Sequence, residues 1–318
     1  MEQEKLNQYK TLAAQGDAEA QFQLGEYYWE LSMEADTEKE ENENAKECVE
    51  WYKKAALQNH LPSMKMLGEV YESGVGEYED YEESAKWYRL AAEQGDADAQ
   101  YCLAEIYYED EKYTQAVKWF KKAADQGNAE AQCRLGEYYA DRGTEEKVVE
   151  WYLLAAEQNH AEAQWHLGEY YMYGLGGIDR NEKEGVKWLT LAAQNGNRSA
   201  QYHLGLAYEY GSGVEEDAEK AFKWYKKAAK QDHEEAQTQL GLCYMNGYGV
   251  EEDAEKAFKW FKKAAKNDDR EGQYYLGVCY QDGYGVEADA QKARKWYQKA
   301  VDQGDDDARE RLAEMDQE

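Results

Sequence analysis

The chain has 318 residues, 67 of them Asp or Glu against 37 Lys or Arg, giving a formal net charge of -30. Such a surface repels phosphate backbones and anionic membranes, so it argues against nucleic acid and lipid as partners and in favour of basic proteins or peptides. The N-terminal residues Met1 to Lys5 show no basic region followed by an apolar run, and no stretch is apolar for a membrane-spanning length. A cytoplasmic protein is therefore expected, a trimmed secreted or periplasmic form being the alternative.

In chain order, residues 1–16 end in Ala13-Ala14-Gln15-Gly16 and read as the second half of a helix pair. One pattern then recurs with a period of about 36 residues, a spacing typical of stacked repeats rather than of a single globular core. The spacing predicts helix-turn-helix units at 17–59, 60–95, 96–127, 128–159, 160–196, 197–232, 233–268 and 269–304. Residues 305–318 repeat only the first half of a unit, with Ala308 and Leu312 in place. Half-units at both ends suit the need to shield the outermost apolar faces from water. The expectation is one solenoid over 1–318, with capping helices at 1–16 and 305–318 around eight repeats at 17–304.

Within a unit, the first helix starts at a capping residue after a glycine, as in Gly16-Asp17, Gly95-Asp96, Gly127-Asn128 and Gly196-Asn197. Apolar positions four apart, such as Ala99, Leu103 and Tyr107, share one face of it. A Gly-x-Gly turn follows, as at Gly211-Ser212-Gly213 and Gly247-Tyr248-Gly249, where positive backbone angles are needed. The second helix carries a Trp-aromatic pair and an Ala-Ala pair, as at Trp224-Tyr225 and Ala228-Ala229, which read as inter-repeat core. Units 96–127 and 128–159 lack the Gly-x-Gly turn and are shorter. The first unit holds a polar stretch, residues 34–44, expected to be a mobile loop. Lysine pairs such as Lys53-Lys54 and Lys226-Lys227 fall late in second helices, where they complement the negative end of the dipole. The cysteines Cys48, Cys102, Cys133, Cys243 and Cys279 have no paired spacing and read as small packing residues in a reducing compartment.

The Gln-x-x-Leu-Gly pattern, in register from Gln21-Leu24-Gly25 to Gln273-Leu276-Gly277, resembles the Sel1-like repeat family, a relative of the tetratricopeptide repeats that adds the Gly-x-Gly turn. The resemblance implies an all-α, right-handed α/α superhelical solenoid acting as an adaptor or scaffold for protein complexes. Some secreted members carry a disulfide in each repeat, and that spacing is missing here. The resemblance also offers two other functions: an immunity or inhibitor protein neutralising a bacterial toxin or effector, and, more distantly, a cell-wall-directed hydrolase.

In such solenoids the first helices line the concave surface. The position after Leu-Gly or Leu-Ala reads Glu26, Glu69, Glu105, Glu137 and Glu169, then Leu206, Leu242 and Val278. Four residues earlier stand Phe22, Tyr101, Trp165, Tyr202 and Tyr274, and one turn later Trp29 and Tyr108. Carboxylates interleaved with rings suit Lys or Arg side chains through charge-assisted hydrogen bonds and cation–π contacts. These fifteen positions form the expected partner-binding groove, acidic at first and more apolar later. A plainly solvated glutamate face is the competing reading.

No phosphate-binding Gly-rich loop, zinc-type cysteine pairing, nucleophile elbow or His-Glu-x-x-His pattern is present. No catalytic residue, metal or cofactor is therefore expected, and the oligomeric state is left open. His60, His160 and His233 begin first helices as weak caps, while His166 and His203 occupy the same register in adjacent units and are expected to approach one another.

Overall fold

The computed structural model describes residues 3–74, 80–143 and 145–316, and among these it contains eighteen α-helices and no strand. Helix α1 (Gln3–Ala14) precedes the pairs α2 (Ala18–Met33) with α3 (Glu38–Ala56), α4 (Leu61–Ser73) with α5 (Tyr81–Glu93), and α6 (Ala97–Glu109) with α7 (Tyr113–Asp125). Next come α8 (Ala129–Asp141) with α9 (Glu145–Glu157), α10 (Ala161–Tyr173) with α11 (Glu182–Gln194), and α12 (Arg198–Tyr210) with α13 (Ala218–Lys230). The last pairs are α14 (Glu234–Asn246) with α15 (Ala254–Lys266) and α16 (Arg270–Asp282) with α17 (Ala290–Asp302), followed by α18 (Asp306–Met315). The chain divides into two compact units, Met1–Leu135 and Gly136–Glu318.

First helices begin where the sequence places their caps. Asp17 accepts from the Ala20 amide at 2.7 Å, Asp96 from Ala99 at 2.8 Å, Asn128 from Ala131 at 2.9 Å and Asn197 from Ala200 at 2.7 Å. His60 and His160 cap through Nδ1, at 3.4 and 3.2 Å, whereas His233 makes no side-chain capping bond. Each such oxygen or nitrogen satisfies an amide that the first helical turn leaves without a partner.

Most of the polar stretch of the first unit is helical, and only residues 34–37 form the connection from α2 to α3. Thr37 accepts from the Glu40 amide, and α3 runs from Glu38, with Glu38, Glu40 and Glu41 in its first turn. Carboxylates there face the positive end of the helix dipole, which turns a sequence read as a mobile segment into two extra helical turns.

Packing within the Trp-aromatic pair is uneven. Its second residue is the deep one: Tyr52, Tyr225, Phe261 and Tyr297 are 0% exposed, whereas the preceding tryptophans are half-buried. A lysine three residues on lies over the indole, at 3.8 Å from the ring centre for Lys54 on Trp51 and Lys122 on Trp119, and 3.9 Å for Lys227 on Trp224. The late lysines thus shield tryptophan with stem and charge as well as standing near a helix end.

A glutamine ladder ties successive helices. Gln21, Gln100, Gln132, Gln164 and Gln201, all nearly buried, each donate to an alanine carbonyl at the end of the preceding second helix, at 3.0–3.1 Å. Gln201 in turn accepts from Gln231 at 2.9 Å, and Gln273 from Gln303 at 3.0 Å. At the two ends, Leu6 and Ala13 of α1 cluster with Ala20 and Leu24, and Ala308 and Met315 of α18 join the core of α13 to α17. No disulfide joins the five cysteines, and Cys48, Cys133, Cys243 and Cys279 are buried.

Candidate partner-binding face

In the first unit the predicted positions fall on α2, α4 and α6. Glu26 accepts from the Tyr52 hydroxyl, and the Phe22 ring lies 5.8 Å from Tyr52 and 5.2 Å from His60. Glu72, one turn beyond Glu69, accepts from Tyr88 Oη at 2.8 Å. Desolvation, then the charges of Glu72 and Glu26, hold the Glu69 carboxyl above the usual range, and Lys65 offsets this only in part. Lys65 itself is engaged by Asp98 at 2.8 Å and Asp96 at 3.3 Å. Tyrosine hydroxyls satisfy carboxylate oxygens without neutralising them, so α2 and α4 present a concentration of negative charge beside Phe22 and half-buried Trp29.

Glu105 is different. Arg134 forks onto it, Nε at 2.8 Å and Nη2 at 2.5 Å, and the same guanidinium sits 5.5 Å from the Tyr108 ring centre. Tyr101 packs at 6.0 Å from Phe120, and Tyr108 at 5.1 Å from Tyr113. This carboxylate is matched within the chain. The signal available in the sequence was Arg134, one residue beyond the aromatic register, a position the ladder reading passed over.

In the second unit Glu137 and Glu169 are half-buried on α8 and α10. Glu169 pairs with His203 Nε2 at 3.3 Å, and burial raises its carboxyl pKa, opposed by His203. Trp165 brings the two expected histidines into one cluster: its ring lies 4.4 Å from His166 and 6.2 Å from His203, whose Nδ1 donates to the Ser199 carbonyl at 2.9 Å. His166 also stacks on Tyr152 at 4.7 Å, and burial pushes its pKa down to about 4. A neutral ring sandwiched between aromatics is a packing group. Tyr202 stacks on His233 at 4.7 Å. Leu206, Leu242, Val278, Tyr202 and Tyr274 are half-buried against the core of α13 to α17, so the aliphatic switch partly serves packing.

Among the described residues, no helix is long and apolar enough to cross a membrane. One group of three metal-type side chains, His233, Glu234 and Glu235, comes within 4.8 Å of one another at the start of α14. The carboxylates there are solvated to differing degrees, and the histidine faces Glu235 at 3.2 Å.

A sequence profile of the Sel1 repeat matches residues 18–60, 61–96, 97–128, 129–160, 161–197, 198–233, 234–269 and 270–305. The chain belongs to the Sel1 repeat family. Its Sel1 boundaries agree with the predicted units to within a residue or so. No curated protein matches the chain. Among solved structures, the protective antigen c5321 of uropathogenic Escherichia coli, which displays the same repeat fold, is 32% identical with a TM-score of 0.84. That match covers 98% of this Sel1 chain and 67% of the antigen. A Sel1 repeat protein from Oxalobacter formigenes is 28% identical with a TM-score of 0.73, covering 98% of this chain and 91% of its own. Sel1 repeat proteins commonly mediate protein–protein interaction and are typically non-enzymatic scaffolds.

Proposed function

We propose that the protein is a non-enzymatic interaction module whose first-helix faces hold a basic protein or peptide segment. The observation that carries this reading is the clustering of Glu69 with Glu72 and Glu26, where burial first and then these like charges hold the Glu69 carboxyl above its usual range. A Lys or Arg side chain placed there relieves the repulsion, and Phe22 and Trp29 alongside supply faces for its stem and charge. Basic partners are also steered to a chain of net charge -30 from a distance, an attraction that salt weakens.

Charge reversal tests the reading best at carboxylates that no internal cation pairs directly, Lys65 being engaged by Asp98 and Asp96. Glu69→Lys with Glu72→Lys is therefore the informative variant, since Glu105 is already matched by Arg134. Affinity capture from the native lysate at low and high salt should recover basic proteins at low salt, with recovery falling severalfold in the variant. Equal recovery by the variant, with unchanged salt dependence, would reduce the carboxylates to a solvated face.

A further inference from the structure

Seven of the eight units place an aromatic ring directly after the second-helix tryptophan: Tyr52, Tyr88, Phe120, Tyr152, Tyr225, Phe261 and Tyr297. Each ring is at most 4% exposed. Where the first helix has a glycine, the ring packs directly against it. A Cβ added at Gly68, Gly205 or Gly277 would stand 2.5–2.6 Å from the ring of Tyr88, Tyr225 or Tyr297. Hydroxyls reach the same first helix: Tyr88 donates to Glu72 at 2.8 Å, Tyr297 to Gln281 at 2.6 Å, Tyr52 to Glu26 and Tyr225 to Glu209.

The unit at 160–196 breaks this rule. Its tryptophan, Trp188, is followed by Leu189, and a Cβ at Gly168 would meet Leu189 Cγ at 2.8 Å where other units offer a ring. Beside Leu189 lies a pocket of about 250 Å³ lined from α10, α11 and α12. Leu189, Met172 and Ala207 are its buried apolar wall, with half-buried Leu206 beside them. Glu169 and His203 form its polar side, and Tyr173 and Tyr210, 56% and 70% exposed, stand at its open side with Arg180, which is held by Glu182. Glu169 holds the ladder position from which Glu26 accepts the Tyr52 hydroxyl, whereas the register of Glu72, Glu209 and Gln281, which take the other hydroxyls, is Met172 here.

We infer that this pocket receives a tyrosine side chain of the bound partner, its ring against Leu189 and Met172 and its hydroxyl donating to Glu169. The inference rests on the peptide-binding reading of the first-helix faces and names one anchor for it. Phenylalanine would fill the volume but bring no donor to the partly desolvated carboxylate. Lysine would bring a donor yet leave the apolar walls poorly covered, next to a histidine. Apolar pockets of this size take small aromatic molecules without further structural change, so the side chain can be tested by itself.

Isothermal titration of the full chain with p-cresol, toluene and n-butylamine separates the three chemistries. The expected result is saturable p-cresol binding, about tenfold tighter than toluene, as a hydrogen bond to a charged acceptor provides. Butylamine should be the weakest. Leu189→Tyr should abolish p-cresol binding by refilling the slot from inside, and Leu189→Phe should do the same by volume alone. Glu169→Gln should shrink the preference over toluene while leaving toluene binding in place. Absence of saturable p-cresol binding, or binding unchanged in folded Leu189→Tyr and Leu189→Phe, would overturn the assignment. Toluene or butylamine binding as tightly as p-cresol would also overturn it. Because p-cresol is scored without a partner, its binding stands even if the Glu69 and Glu72 reversal leaves lysate capture unchanged, a result that counts only against the basic-partner reading.

Discussion

At the residue scale, the least conspicuous letter of the repeat holds successive helices together. Gln201 is 4% exposed, donates to the Ala193 carbonyl at 3.1 Å and accepts from Gln231 at 2.9 Å. A glutamine does this because its amide offers donor and acceptor at one side-chain end, and alanine neighbours let the chains approach. Gln201→Leu should therefore cost about 1–3 kcal/mol, the penalty for leaving buried polar partners unsatisfied. The solvent-facing Gln298→Leu, by contrast, should stay within about 0.5 kcal/mol. Urea unfolding followed by far-UV circular dichroism measures both. Equal midpoints for the two variants would show that the ladder is decoration on the alanine packing.

At the scale of elements, the turns separate two causes of glycine that a sequence cannot tell apart. Gly211 (φ 66°) and Gly213 (φ 74°) belong to one turn and share the left-handed conformation. A Cβ at Gly211 would have its nearest neighbour at 3.6 Å, whereas one at Gly213 would press on the backbone carbonyl carbon of Glu182 at 2.6 Å, at the start of α11. Gly211→Ala should thus cost about 1 kcal/mol for the backbone conformation alone, and Gly213→Ala roughly 1–3 kcal/mol more because the preceding helix must move. Thermal melts of the two alanine variants decide it, and a Gly211→Ala melting as low as Gly213→Ala would remove the seating role of the second glycine. Other features of the elements were readable without coordinates, since the Asp and Asn caps follow from chemistry local to three or four residues. The first turns of α3 were not, because a dense acidic run reads as solvated chain until Thr37 is seen to cap it.

At the scale of the whole chain, what the sequence conceals about the candidate site is tertiary. The Glu ladder is legible as a ladder, but that Arg134 engages both oxygens of Glu105 and His203 faces one oxygen of Glu169 depends on neighbouring first helices. Leu189 stands in plain view after Trp188, yet its meaning requires knowing that the other units put a ring on that spot. The same rings set a common behaviour for the array. Burial first, aided by nearby carboxylates or thiols, raises the pKa of Tyr52, Tyr88 and Tyr225, and burial likewise raises that of Tyr297. Burial also raises the Cys243 and Cys279 thiols to about 12. A group whose folded pKa lies above its unfolded value contributes stability that is complete below the unfolded pKa and lost as pH rises towards the folded one. For these tyrosines the loss begins near pH 10, at about 1.4 kcal/mol for each ring at pH 11, and the thiols begin to contribute about a unit earlier. The melting temperature should accordingly hold between pH 7 and 9 and fall steeply above 10. Absorbance at 295 nm should rise in two phases: exposed tyrosines near pH 10 with the helical signal intact, then the buried rings together with its collapse. A single tyrosinate phase completed while the helical signal persists would mean that the rings at the centre of each unit are not held away from water.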